Sequence, residues 1–296
     1  MEYEFVNLYV RSIFKGEKYM RIITDSGSLF TPQQGEEMGI DVLPLNVIIN
    51  KKSYREFVDI QSEEFLSLIN EGHIPTSSQP AIGETMEALE KYPNEDILVL
   101  NMADGLSGAY QSTLSVKGTM ENNEHIHVIN TMTLCGPEKG LVEKAISLKE
   151  KGMEIHEVIK EIHKSIATEK SFLIPQDFGY LKRGGRLTPI AATIGGLFKI
   201  IPVMTTTKDG KRLEKFTMKK TFKSAIKEII KAFKDLGVDE NYKIYVSHGG
   251  VLEQAQQTMK QIQEAFENVK IELHDLSPAF ITQGGPGCIA VQTIRL

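Results

Sequence analysis

The sequence predicts an α/β fold in two domains. Two observations carry this reading. Short β-branched runs alternate with amphipathic stretches along the chain, and a polar break at Thr168-Glu169-Lys170 ends one helical pattern just before a new strand. The 296 residues, 41% hydrophobic and 25% charged, suffice for two apolar cores and argue against disorder.

In chain order, strands are expected at 21–24 (RIIT), 43–49 (LPLNVII), 96–102 (DILVLNM), 125–130 (HIHVIN), 171–174 (SFLI), 243–248 (KIYVSH) and 270–276 (KIELHDL), with CIAVQTI as the last. Their alternation with helices implies largely parallel sheet. Helix starts are marked by Ser62-Glu63-Glu64, a cap with an acidic first turn, and by Pro137-Glu138. Ser224 to Leu236 repeats apolar residues at helical spacing. Asp209-Gly210, between MTTTK and KRLEKF, signals a hairpin. The domains are therefore 20–168 and 169–296, with 1–19 as an N-terminal appendage, because the first strand begins next to Met20.

Charge and composition exclude several functions. Lys and Arg total 34 against 39 acidic residues, a net charge of −5, so there is no overall basic field for nucleic acid. Cys135 and Cys288 lie far apart and outside any CxxC pair, which argues against structural zinc and disulfides and for reduced thiols. His125 and His127 have strand spacing without a metal-ligand set, so no metal is expected. The start of the chain lacks the features of a secretory signal, and no run is long and apolar enough to span a bilayer, so a cytoplasmic location is expected.

Several loops could carry chemistry. Thr24-Asp25-Ser26-Gly27-Ser28 follows the first strand, where open α/β sheets place ligands, although Asp25 and Ser26 equally suit the capping of backbone amides. Pro75-Thr76-Ser77-Ser78-Gln79-Pro80 holds three hydroxyls between prolines, neutral donors for a carboxylate. Gly105-Leu106-Ser107-Gly108-Ala109 joins a strand to a helix, so amides at the helix start favour an anion beside Ser107 and Gly108. That stretch lacks only the last glycine of a GxSxG nucleophile elbow. A serine hydrolase would take Ser107 with His248 or His274 and Asp177 or Asp235, but the oxyanion-type His248-Gly249-Gly250 follows the serine instead of preceding it.

Lys182, Arg183 and Arg186 surround two glycines, either a solvated basic turn or a docking surface for an anionic partner. TPIAATIGGLFKIIPV, 188–203, reads as a buried helix and strand or as tunnel lining, with Gly195-Gly196 allowing close approach. Phe280-Ile281-Thr282-Gln283-Gly284-Gly285-Pro286-Gly287 reads as a loop leading into the final strand, as a bare turn or with glycine amides facing a ligand.

Taken together, TDSGS, LPLNV, TSSQP, GLSGAYQS, YLKRGGRL, HGG and GGPG resemble the DegV family, in that order, from Met20 to the end. The resemblance implies a DegV-like pair of α/β domains with one long-chain fatty acid enclosed between them. It also implies a non-catalytic lipid-binding carrier of phospholipid metabolism, without cofactor, that presents its acid to a separate ATP-dependent fatty-acid kinase for acyl phosphate formation, with transient membrane contact. Position by position, Ser107 and Gly108 match the family's carboxylate-binding turn, and Ser77, or Thr76 if the loop shifts, its threonine. Gln283 stands where many family carriers have histidine; it donates through its amide but takes no proton, so weaker pH dependence of binding is expected. Acyl-chain lining is expected from Phe172, Ile174, Leu181, Ile190, Ile194 and Leu197, and kinase docking from Lys182, Arg183 and Arg186. A serine hydrolase through Ser107 and His248, or a binding module for another small anion, are the alternatives.

Overall fold

The computed structural model describes residues 20–194 and 199–296. The proposed appendage 1–19, and Gly195, Gly196 and Leu197, lie outside the described residues. Two principal sheets and a small third one organise the chain.

The first sheet holds β1 (Met20–Asp25), β2 (Asp41–Leu43), β6 (Asp96–Asn101) and β7 (Ile126–Asn130) in the order β2-β1-β6-β7. All its pairings are parallel, and every residue of β6 is buried, as a strand covered on both faces requires. β3 (Asn46–Ile49), β4 (Lys52–Arg55) and β5 (Thr76–Ser78) form an antiparallel sheet in the order β4-β3-β5. The run expected as one strand over 43–49 is split between the first two sheets at Pro44, which has no N–H for a ladder.

The second large sheet comprises β8 (Lys170–Ile174), β9 (Ile201–Thr206), β10 (Leu213–Lys219), β11 (Tyr242–His248), β12 (Lys270–Asp275) and β13 (Ile289–Arg295), in the order β10-β9-β8-β13-β11-β12. Here the expectation of parallel sheet fails. Only β11 and β12 run parallel. The hairpin at Asp209-Gly210 reverses β10 against β9, and β13 inserts antiparallel between β8 and β11. Strand orientation follows from the path of the connections, which periodicity does not encode.

Helix caps also differ in detail. Gln61, not Ser62, occupies the cap of the helix Ser62–Asn70, and the Ser62 hydroxyl donates instead to the Leu276 carbonyl at 2.9 Å. Thr221 caps the helix Phe222–Leu236 in a reciprocal box with Ser224.

The helix Gly136–Glu150 joins the two halves. Leu141, Val142 and Ala145 share one core with Ile22, Leu98 and Leu100 of the first sheet and Tyr245 and Ile294 of the second. The fit depends on Gly136 and Gly140, one turn apart, whose missing side chains make room for the Tyr245 ring and hydroxyl. A Cβ on either would overlap Tyr245. Helix propensity alone favours alanine over glycine by about 1 kcal/mol. Overpacking costs more, so Gly140→Ala is expected to lower unfolding stability by about 1–3 kcal/mol in urea titration; a stabilised variant would show that Tyr245 yields freely.

Candidate functional site

Three loops meet between the halves. The first is the turn after β6. Ser107 is half-buried, its amide donates to the Ala103 carbonyl at 3.2 Å, and its hydroxyl accepts from the Ala109 amide at 3.2 Å. Gly108 caps the helix Ala109–Thr119, and the Gln79 side chain lies where a Gly108 Cβ would stand. The TSSQP loop is thereby pressed onto the LSG turn.

β5 supplies the second loop. Its alternation exposes Thr76 and Ser78 and turns Ser77 inward, where the Ser77 hydroxyl accepts from the Gln283 amide nitrogen at 3.0 Å. Of the two hydroxyls left open by the sequence, Ser77 is therefore the one beside Gln283.

The third component is Gln283 itself, which the sequence placed in a loop but which lies on the helix Pro278–Gly284, started by Pro278. Its Oε1 is buried without a partner and sits where a Cβ on Gly184 would stand. A half-turn of this amide would let Ser77 donate to Oε1 and present two N–H donors to a ligand.

Behind these loops is a slender cavity of about 90 Å³ with mostly apolar walls, including Met102, Leu106, Leu173, Leu181 and Phe280. Leu181 and Phe172 line it, although the Phe172 ring also packs 4.6 Å from that of Phe216. Ile174 does not line the cavity. It lies two residues from Phe172 on the same strand face, in the core beneath the helix Phe222–Leu236. Ile190 is 85% exposed on the short helix Pro189–Ala192, and Ile194 backs the cluster of Phe178, Leu181 and Met204 without lining the cavity. Leu197 is outside the described residues.

The basic turn divides. Lys182 and Arg183 are exposed, the Arg183 guanidinium 4.5 Å from the Tyr180 ring centroid and the Lys182 ammonium 5.8 Å from that of Phe178. Arg186 instead turns inward to the cavity wall, where its Nε donates to the Leu106 carbonyl at 3.1 Å and its Nη1 to the Gly184 carbonyl. Burial lowers its pKa. No feature of the sequence separates this arginine from Arg183, because the difference arises where the helix Phe178–Gly184 ends at Gly185.

The remaining motifs serve structure. Asp25 accepts from the amides of Gly27 and Met102 and from the Asn101 side chain, so the capping reading holds. The glycine loops bond each other: the Gly287 amide donates to the Gly249 carbonyl at 2.7 Å, and the Gly249 amide to the Cys288 carbonyl. His248, buried at the end of β11, has its Nδ1 3.4 Å from an Asp275 carboxylate oxygen, and burial lowers its pKa. Ser107 has no hydrogen bond to a histidine among the described residues, whereas a nucleophile needs its base within such reach. Cys135 and Cys288 are free and buried in the cavity wall, and burial raises both thiol pKa values, that of Cys288 to about 12. No cluster of three metal-ligating side chains occurs among the described residues, and no described helix is long and apolar enough to cross a membrane.

Sequence reasoning missed Glu56. Fully buried, it accepts from the Ser26 hydroxyl and, at 2.8 Å, from the Ala279 amide. A loop glutamate carries no signal of burial.

The α/β fold thus holds an internal, mostly apolar cavity with the Gln283–Ser77 pair and the Ser107 turn beside it. The chain belongs to the DegV family, described as uncharacterised, which it matches over residues 19–296. It is 29% identical over 276 residues to a DegV domain-containing protein of Halalkalibacterium halodurans, covering 91% of this chain and 96% of that one. The fold is similar to a fatty acid binding DegV family protein of Streptococcus agalactiae (TM-score 0.85, 25% identity, 94% and 99% of the two chains). It is equally similar to a DegV family protein of Thermus thermophilus described with fatty acid binding (TM-score 0.85, 24% identity, 94% and 100%).

Desolvation raises the Glu56 pKa from 4.5 to about 7, outweighing its hydrogen bonds. The folded state therefore binds more protons than the unfolded one between these values, so this contribution to stability is complete below about 4.5 and is lost as pH rises through about 7. Between pH 5 and pH 8 wild type should lose up to about 3 kcal/mol through this group, and Glu56→Gln should flatten that slope in denaturant titrations; identical slopes would show that Glu56 does not titrate in this range.

Proposed function

We propose that this protein is a carrier that encloses one long-chain fatty acid in the cavity between its lobes and presents it to a separate ATP-dependent fatty-acid kinase. The observation that supports the reading is an apolar cavity walled in part by Leu106, which directly precedes Ser107 and Gly108, and by Gln283, which bonds Ser77, so that neutral groups suited to a carboxylate adjoin it. The protein that it resembles at 25% identity from Streptococcus agalactiae is described as fatty acid binding, which supports this ligand class. Lys182 and Arg183, exposed beside the mouth, suit docking of the kinase, while Arg186 is directed inward, toward the carboxylate end. The carrier itself performs no chemistry in this scheme, acts in the cytoplasm without a cofactor, and exchanges its lipid through transient membrane contact.

The energetics divide between the two ends of the ligand. Burying about fifteen methylenes at roughly 0.8 kcal/mol each gives about 12 kcal/mol gross, whereas a neutral hydroxyl contact nets about 1 kcal/mol. The apolar wall thus sets affinity, and the hydroxyls set the position of the carboxylate. At about 90 Å³ the cavity is smaller than ligand sites usually are, so loading has to widen it through flexible wall residues such as Met102 and Leu106.

Organic extracts of protein purified without detergent should contain one equivalent of a long-chain fatty acid by mass spectrometry. Folded protein that is lipid-free and fails to bind added fatty acid would move the reading to a different small anion. Ser107→Ala should weaken fatty-acid binding only about fivefold yet slow single-turnover acyl phosphate formation with a cognate kinase far more, because transfer needs an accurately placed oxygen. An unchanged rate would sink the role given to Ser107.

A further inference from the structure

The inner wall of the cavity is not wholly apolar. Gln292 of β13 is paired directly with Ser171 of β8, and both line the cavity together with Leu134 and Thr205. Gln292 is 2% exposed. Its Nε2 donates to the Leu134 carbonyl at 3.0 Å and to the Ser171 hydroxyl at 2.7 Å. The Ser171 hydroxyl donates onward to Glu169, which also accepts from Thr133 at 3.1 Å, and the Thr205 hydroxyl donates to the Ser171 carbonyl at 2.8 Å. Every donor of this network is engaged. One acceptor is left over: Gln292 Oε1, fully enclosed and without a partner. The amide does not gain by turning over, because Oε1 would then face the Leu134 carbonyl.

The position of this acceptor is informative. β13 starts at Ile289, just past the glycine loop at the mouth, and its alternation directs Ala290 and Gln292 to the cavity while Ile289 and Val291 join the opposite core. Three residues of strand set Gln292 about 10 Å inward of the first strand residue. The acceptor therefore faces the length of an acyl chain, away from the carboxylate. A plain methylene chain would leave it unpaired and exclude water from it, a costly arrangement for a buried polar atom.

We propose that the cavity selects fatty acids that carry a hydroxyl group partway along the chain, donated to Gln292 Oε1. This proposal rests on the fatty-acid reading of the cavity. The test uses delipidated full-length protein and displacement of a fluorescent fatty acid by octadecanoic acid, by octadecanoic acids with a single hydroxyl at successive mid-chain carbons, and by their O-methyl ethers. The best hydroxylated acid should bind about tenfold tighter than octadecanoic acid. The advantage, read as the ratio of the two affinities, should vanish on O-methylation, which removes the donor, and in Gln292→Met, which removes the acceptor. The ether comparison decides the matter if Gln292→Met does not fold. Equal binding of the hydroxylated and plain acids, or a preference that survives O-methylation or Gln292→Met, would overturn the selectivity and leave the carrier reading intact. Folded protein that binds none of the acids would instead overturn the carrier reading and this proposal with it.

Discussion

The Glu56 carboxylate is the constraint on which the site depends. One oxygen takes the hydroxyl of Ser26, in the loop after β1, and the other takes the amide of Ala279, which lies 223 residues further along the chain. Ser26 in turn accepts from the Leu45 amide at 2.8 Å, where the chain passes from β2 to β3. A single buried group thus ties the first sheet, the small antiparallel sheet and the helix bearing Gln283. Its high pKa reflects what such burial costs: the charged form is desolvated, and removing it would strand two donors in the interior.

With these segments tied, the alternation of strands sorts side chains between core and cavity. On β8, Ser171 and Leu173 face the cavity, Ile174 supports the aliphatic core under the helix Phe222–Leu236, and Phe172 belongs to that core while also touching the cavity. On β13, Ala290 and Gln292 face inward in the same manner. Ser77 reaches Gln283 through the equivalent alternation of β5. The cavity consequently has two polar regions of different character. One is the Gln283 amide with its Ser77 partner, brought together only in the folded chain, and the other is the Gln292 acceptor, held by a ladder of hydroxyls and amides.

Arg186 shows how tertiary context changes the role of a residue. Arg183 and Arg186 lie on one basic turn and are indistinguishable by composition. The helix ending at Gly185 leaves Arg183 over the Tyr180 ring in solvent and sends Arg186 back to the Leu106 carbonyl, next to Ser107. The second arginine therefore connects the basic turn to the LSG loop and brings a positive charge to a wall that is otherwise uncharged and mostly apolar.

The sequence by itself determined the α/β class, most of the strands of the two large sheets, the helices beginning near Ser62, Pro137 and Ser224, the hairpin at Asp209-Gly210 and the segments bearing Ser77, Ser107 and Gln283, because these follow from local periodicity, turn chemistry and motif order; the helices Ile155–Ile166 and Leu252–Gln263 and the helical state of Gln283 came only with the structure. It also carried the DegV resemblance that the match over residues 19–296 establishes. Only the tertiary structure decided that the second sheet is mainly antiparallel, that Ile174 and Ile190 do not line the cavity, that Ser77 and not Thr76 meets Gln283, and that Glu56 and Gln292 are buried. The physical reason is separation along the chain. Strand order, the face that a neighbour covers and the enclosure of a polar atom are set by contacts between residues tens to hundreds of positions apart, and no local pattern records them.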